Sequence, residues 1–312
     1  MKITIIKLKE INETLFQENE NLFVWIEDFV DDTALEFINQ NALVHKNTKV
    51  QISFVPNIEP KAILSKIPNV QHIKLSPSYD LELTDLSMLN NIKYLKSLSL
   101  GDYTKKTISF KTLQNCTTLE TFNFNWGLNN QNQYDFVNQQ TNLKNLWLRT
   151  LDLKLINKNE NLTTLRIDSV IKSEELLAEK FPNLKRLHLH GCSKLTNHAF
   201  VENLEKIEEI NISYNSHLKS FPQLKHPDQV KSIEMYTCPN FNSIESLLQY
   251  KNLERLVLTS HDKKLQANIN DFAKLKNLKK LKTVYTAWGN RPKEELEVIA
   301  KIYQETNWIN HQ

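Results

Sequence analysis

The sequence predicts an α/β solenoid: a stack of short parallel strands, each followed by a helix or loop that carries the chain to the next strand. Three observations point there. The spacing apolar-x-x-apolar-x-apolar recurs ten times, with successive starts 19 to 25 residues apart. Leu supplies 44 of the 312 residues, while Gly supplies only 4. Between the repeats, segments of helical spacing alternate with polar Asn/Gln runs.

The elements follow in chain order. Residues 3–8 read as a strand sealing the first coil, and residues 22–27 as a second strand. A helix over 32–40 starts at Asp32, a favourable residue for the positive end of a helix. Residues 50–54 and 60–67 repeat that strand–helix order. The repeats then start at Val70, Leu95, Leu119, Leu143, Leu162, Leu184, Ile207, Val230 and Leu253, with a weaker one at Leu278. In each, alternation sends the apolar residues to one face of a strand and the intervening residues to the other. Parallel neighbours need a crossover, which the return path supplies. Residues 173–181 and 242–250 have helical spacing, whereas 127–132 is polar and reads as an outer loop. The amphipathic stretch 291–303, with Pro292 early in it, reads as a helix closing the far end. Solenoid ends expose apolar surface unless capped. The expected organisation is an N-terminal capping region with a degenerate first repeat (1–47), a repeat array (48–286) and a C-terminal capping helix (287–312).

Residues Leu184 to Phe200 read LKRLHLHGCSKLTNHAF. They resemble the cysteine-containing subtype of the leucine-rich repeat family, L-x-x-L-x-L-x-x-C-x-x-L-T, and the resemblance extends over roughly residues 48 to 286. It implies a horseshoe with a concave parallel sheet and short outer helices or loops. It identifies an architecture, not an activity. It also implies that the ninth position points into the coil and satisfies backbone groups there. That column reads Ser78, Tyr103, Gly127, Leu151, Val170, Cys192, Asn215, Cys238 and His261, so the polar ladder is intact only from about 192 to 238.

Composition excludes several functions. Lys+Arg 39 against Asp+Glu 36 leaves a net charge of +3, too small a field to argue for nucleic acid or a membrane surface. Lysines interrupt the N-terminal apolar run before signal-peptide length, and no apolar stretch nears membrane-span length. Three cysteines in so long a chain suggest a reducing, cytoplasmic setting. Cys192 and Cys238, two coils apart, should be separated by about 10 Å, beyond disulfide reach. No P-loop, dinucleotide fingerprint, nucleophile elbow or H-E-x-x-H occurs, so neither a cofactor nor an enzyme activity is expected. His188 and His190 share a strand face about 6.6–6.8 Å apart, a spacing that suits zinc. Cys192 belongs to the inward column, however, so the two histidines read as part of a binding surface.

The surface itself is the outward face of the strands. Its candidate partner-binding residues are Trp126, Trp147, Arg149, Arg166, Asp168, Arg186, His188, His190, Tyr214, Glu234 and Tyr236. Trp, Tyr and Arg dominate interface hot spots, and aromatic residues at solvent-facing positions have no core role. Trp126 or Trp147 has a competing place, folded onto the rim of its own sheet. His72, Lys74, Ser97 and Ser99 line the early coils without marked charge, and Lys280 and Lys282 make the last coil basic. The expected function is non-catalytic binding of another protein, by a monomer when unbound, as an inhibitor or toxin-immunity protein. The alternatives are a substrate-recruiting adaptor or scaffold and, remotely, an enzyme with a composite site of Arg149, Arg166, Asp168, His188 and His190.

Overall fold

The computed structural model describes residues 3–7, 14, 21–26, 32–44, 49–54, 60–76, 82–260, 265–288, 292–306 and 308. Ser78 and His261 of the ninth-position column, and Arg291 of the expected last helix, lie outside them. The chain divides into two compact units, Met1–Leu148 and Arg149–Gln312.

In the first unit, strands β1 (Ile3–Lys7), β2 (Asn21–Ile26), β3 (Lys49–Phe54), β4 (His72–Ser76), β5 (Ser97–Leu100) and β6 (Thr121–Phe124) pair parallel in chain order. The first half of β7 (Asn145–Asp152) adds to β6. Leu98, Phe122 and Leu146 occupy one rung and are buried. Helices α1 (Asp32–Val44) and α2 (Pro60–Lys66) follow β2 and β3, as the apolar spacing predicts. One expectation is corrected. Residues 127–132 are not all loop: helix α3 (Gln131–Gln139) begins inside them, with the Asn130 side chain accepting the Gln133 N–H at 3.2 Å. Its apolar face is confined to Tyr134, Phe136 and Val137, all buried, with Phe136 edge-on to Phe110 and Phe122. Gln133 and Gln140 are buried too. Their amides donate to the carbonyls of Lys106, Ile108, Cys116 and Phe136, so a polar sequence still packs without orphaned donors.

In the second unit, β8 (Thr164–Lys172), β9 (Arg186–His190), β10 (Glu209–Ser213), β11 (Ser232–Tyr236), β12 (Arg255–Ser260) and β13 (Thr283–Trp288) pair parallel in chain order. Leu165, Leu187, Ile210, Ile233, Leu256 and Val284 form one buried rung. The outer path is mostly 3₁₀: Glu174–Leu176 leads into the single turn α4 (Leu177–Lys180), and Ala199–Asn203, Ile244–Leu247 and Ile269–Asn277 are further 3₁₀ segments. Short crossovers leave room for little more than a turn. Helix α5 (Lys293–Gln304) buries Ile299 and Ile302, and the Tyr303 hydroxyl donates to the Val284 carbonyl at 2.7 Å.

The last repeat starts at Leu281, not Leu278. Val284 pairs with Leu256, and the Leu281 N–H donates back to Leu278, which belongs to the preceding turn. Thr283 and Tyr285 therefore fill the outward positions assigned to Lys280 and Lys282, and Lys282 pairs with Glu254 at 3.0 Å.

Candidate partner-binding face

The pleat places third, fifth and seventh residues of each repeat on the side of the sheet away from the core. In the first unit His72 and Lys74 lie on this face, and the groups from β5 to β7 are uncharged. Asn123 lies opposite Trp147, and Asn145 donates to the Thr121 hydroxyl at 3.2 Å. Trp147 is 36% exposed despite its size. Trp126 takes the other course. It is half-buried, with its indole N–H on the Thr104 carbonyl at 2.6 Å, folded onto the rim of its own sheet.

In the second unit Arg149 is exposed on the closing half of β7. The face then runs over β8 to β12 as a set of paired charges. Arg166 Nε donates to Asp168 at 2.7 Å along β8. Arg186 on β9 is exposed and donates through Nε (3.1 Å) and Nη2 (2.8 Å) to the Thr164 hydroxyl. His188 Nε2 lies 3.2 Å from the Glu209 carboxylate, a charge pair when the imidazole is protonated. Its N–H is not aligned as a hydrogen bond. This contact is the main reason the Glu209 carboxyl is held below the usual range, against the opposing effect of burial. Glu234 on β11 accepts from Asn211 Nδ2 (3.0 Å), Tyr236 Oη (3.1 Å) and Arg255 Nε (2.8 Å). Burial, and then the Glu234 charge, push the Tyr236 phenol up. On β12 Val257 is 1% exposed, although parity directs it outward.

Arg255 is absent from the residues singled out by sequence. It holds the same third position as Arg186, and continuing that column along the repeats finds it. Of the composite grouping, Arg166 and His188 stand opposite each other on β8 and β9, with Arg166 paired to Asp168 and His188 turned to Glu209.

The strand exits show a second pattern. At the eighth position of three successive repeats, Gly191, Tyr214 and Thr237 have φ of 63°, 55° and 53°. Each sends its N–H to the seventh residue of the adjoining strand: Ser213, Tyr236 and Thr259. Glycine suits this left-handed backbone, and a Cβ at Gly191 would lie 3.3 Å from the Asp168 carbonyl. Tyr214 adopts the same conformation with a side chain, leaving the residue 50% exposed. Its ring meets that of His190 edge-on, with centroids 4.8 Å apart.

The ninth position behaves as the ladder predicts. Cys192 and Cys238 are buried and unpaired, and their thiols donate weakly to the Ile167 (3.7 Å) and Ile212 (3.4 Å) carbonyls. Burial pushes them up to about 12 and about 11. Cys192 thus points inward, away from His188 and His190, and the three do not converge. Among the described residues, no helix is long and apolar enough to cross a membrane.

Neither a protein-family model nor a curated protein matches the chain. Solved structures do. An internalin from Listeria monocytogenes is 19% identical, with 91% of this chain and 82% of that chain covered and a TM-score of 0.51. A leucine-rich repeat protein of Leptospira interrogans (15% identical, 97% and 93% covered) and the leucine-rich repeat domain of APL1B (14%, 92% and 85%) also align, with TM-scores of 0.37 and 0.43. The fold is a leucine-rich repeat solenoid, with parallel strands on one side and short helices and loops on the other.

Proposed function

We propose that the chain is a non-catalytic protein-binding module whose partner docks on the open face of the sheet. It acts by occluding or scaffolding that partner, in the manner of an inhibitor or toxin-immunity protein. The recognition surface lies in the 48–286 array, and the segments 1–47 and 287–312 serve as caps. Three unpaired cysteines favour a reducing, cytoplasmic setting.

Tyr214 carries the reading. A left-handed backbone costs a non-glycine residue about 1–2 kcal/mol, and half of this residue stays in solvent rather than contributing core burial. The preceding repeat solves the same turn with Gly191. Thr237 of the following repeat adopts the same backbone, so what distinguishes Tyr214 is its half-exposed ring beside His190, a typical anchor for a protein interface.

Affinity capture from a lysate of the native cells tests it, with the wild-type chain and Y214G immobilised in parallel. The expected result is loss of the captured partner on Y214G, with a melting temperature equal to or above wild type. A lower melting temperature with capture unchanged would make Tyr214 a packing residue and remove the reading.

A further inference from the structure

Three carboxylates and three arginines stand on the open face between β8 and β12, and their pairing leaves one cation aside. Asp168 is met by Arg166 at 2.7 Å and Glu234 by Arg255 at 2.8 Å. Glu209 lies directly across the ladder from Arg186, yet its carboxylate is turned to His188. Arg186 turns the opposite way, to the Thr164 hydroxyl on β8, and makes no ion pair among the described residues. A hydroxyl orients a guanidinium without neutralising it. Two of the five N–H donors are used, and the rest lie on an exposed side chain whose plane is already fixed by two bonds. Arg255, at the same position of its own repeat, shows the contrasting case: its Nε is satisfied by a carboxylate of the same face.

We infer that Arg186 is the docking point for a carboxylate side chain of the partner protein, held by the guanidinium that Thr164 orients. A planar fork with unused donors matches a carboxylate bidentately, and orientation in advance lowers the ordering cost of binding. A protein carboxylate fits better than a nucleic-acid backbone. Glu209 stands directly beside the position and opposes a run of phosphates, the carboxylates further along the face interrupt any basic track, and the chain carries a net charge of only +3. The inference rests on the proposed protein-binding role of this face.

The test uses the full chain and a phage library of random peptides. Binders selected on the wild-type chain are measured again on Y214G, R186E, R186K and T164V, each first shown by circular dichroism to melt as wild type does. The expected binders weaken on Y214G and share one Asp or Glu position. They lose about ten-fold or more on R186E, keep most of their affinity on R186K, and weaken about two- to five-fold on T164V, where the charge remains but its orientation is lost. Selection repeated on R186E should replace the acidic position with Lys or Arg. Binders that weaken on Y214G but carry no acidic position, or that ignore R186E, would overturn the role of Arg186 while leaving the face as the binding surface. Binders indifferent to both Y214G and R186E would remove the face itself, and the inference with it. A homopolymeric RNA bound by wild type and lost on R186E would assign the arginine to phosphate and also overturn it.

Discussion

Glu234 on β11 and Arg255 on β12 meet at 2.8 Å, and the same carboxylate also takes the Asn211 amide from β10 and the Tyr236 hydroxyl. One acidic side chain thereby cross-links three successive repeats on the side of the sheet away from the core. E234A leaves three donors short of an acceptor and should cost about 1–3 kcal/mol in urea unfolding. R255A should cost less, because its guanidinium is nearly half exposed and the other two donors keep their acceptor. Equal costs near zero for both variants would show that the network adds nothing to stability.

Asn215 should be among the most sensitive single positions of the second unit. It is buried, its amide donates to the Cys192 and Leu195 carbonyls at 3.1 Å each, and its oxygen accepts the His217 and Leu218 N–H groups at 2.8 and 3.0 Å. N215A strands three backbone groups at once, the Leu195 carbonyl and the His217 and Leu218 N–H groups, while the Cys192 carbonyl keeps the Leu195 N–H, with an expected loss of about 3 kcal/mol or more. N215D keeps the acceptor but faces two carbonyls with a carboxylate, so it should not rescue. A melting temperature within a degree or two of wild type, for either variant, would contradict the ladder.

Thiol labelling separates the cysteines. Burial raises all three thiols, and Cys192 and Cys238 to about 12 and about 11, so little thiolate exists near neutral pH. In the folded chain, half-buried Cys116 should react first with an aromatic disulfide reagent. Cys192 and Cys238 should react only at the rate of unfolding. Prompt labelling of three thiols without denaturant would place the ninth position on the surface.

His198 should make stability pH-dependent. It is 7% exposed, and burial, followed by the charge of nearby His217, lowers it from 6.5 to about 4. The unfolded chain then takes up a proton near pH 6.5 that the folded chain refuses until about pH 4. Its contribution is whole above pH 6.5 and drains away as pH falls towards 4, by up to about 3 kcal/mol. Urea midpoints for wild type should fall over that window more than those for H198L. Parallel curves for the two proteins would mean that the histidine stays protonated when folded.

Much of this architecture is written locally in the chain. The period of Leu98, Phe122, Leu146, Leu187 and Ile210 dictates strands and their buried side, because alternation along a strand requires only neighbouring residues to be known. The inward positions of Cys192, Asn215 and Cys238 follow from the family resemblance instead, because alternation continued past the strand would turn a ninth residue outward. The register of the last repeat follows from neither: Leu278 and Leu281 both fit the spacing, and the ladder from β12 to Val284 selects the second. Nor does helix α3, whose apolar face of three residues is hidden in a polar run until Phe110 and Phe122 pack on it. On the binding face, parity fixes which residues look outward, but not what they touch. Trp126 reaches Thr104 and Glu234 reaches Arg255 across 22 and 21 residues of chain, each partner brought within reach by the neighbouring repeat. Only stacking one coil on the next leaves Glu234 neutralised, Arg186 oriented but not neutralised, and Tyr214 strained. Burial repeats with the sequence period, whereas the pairing of exposed charges depends on which side chain the adjacent coil presents.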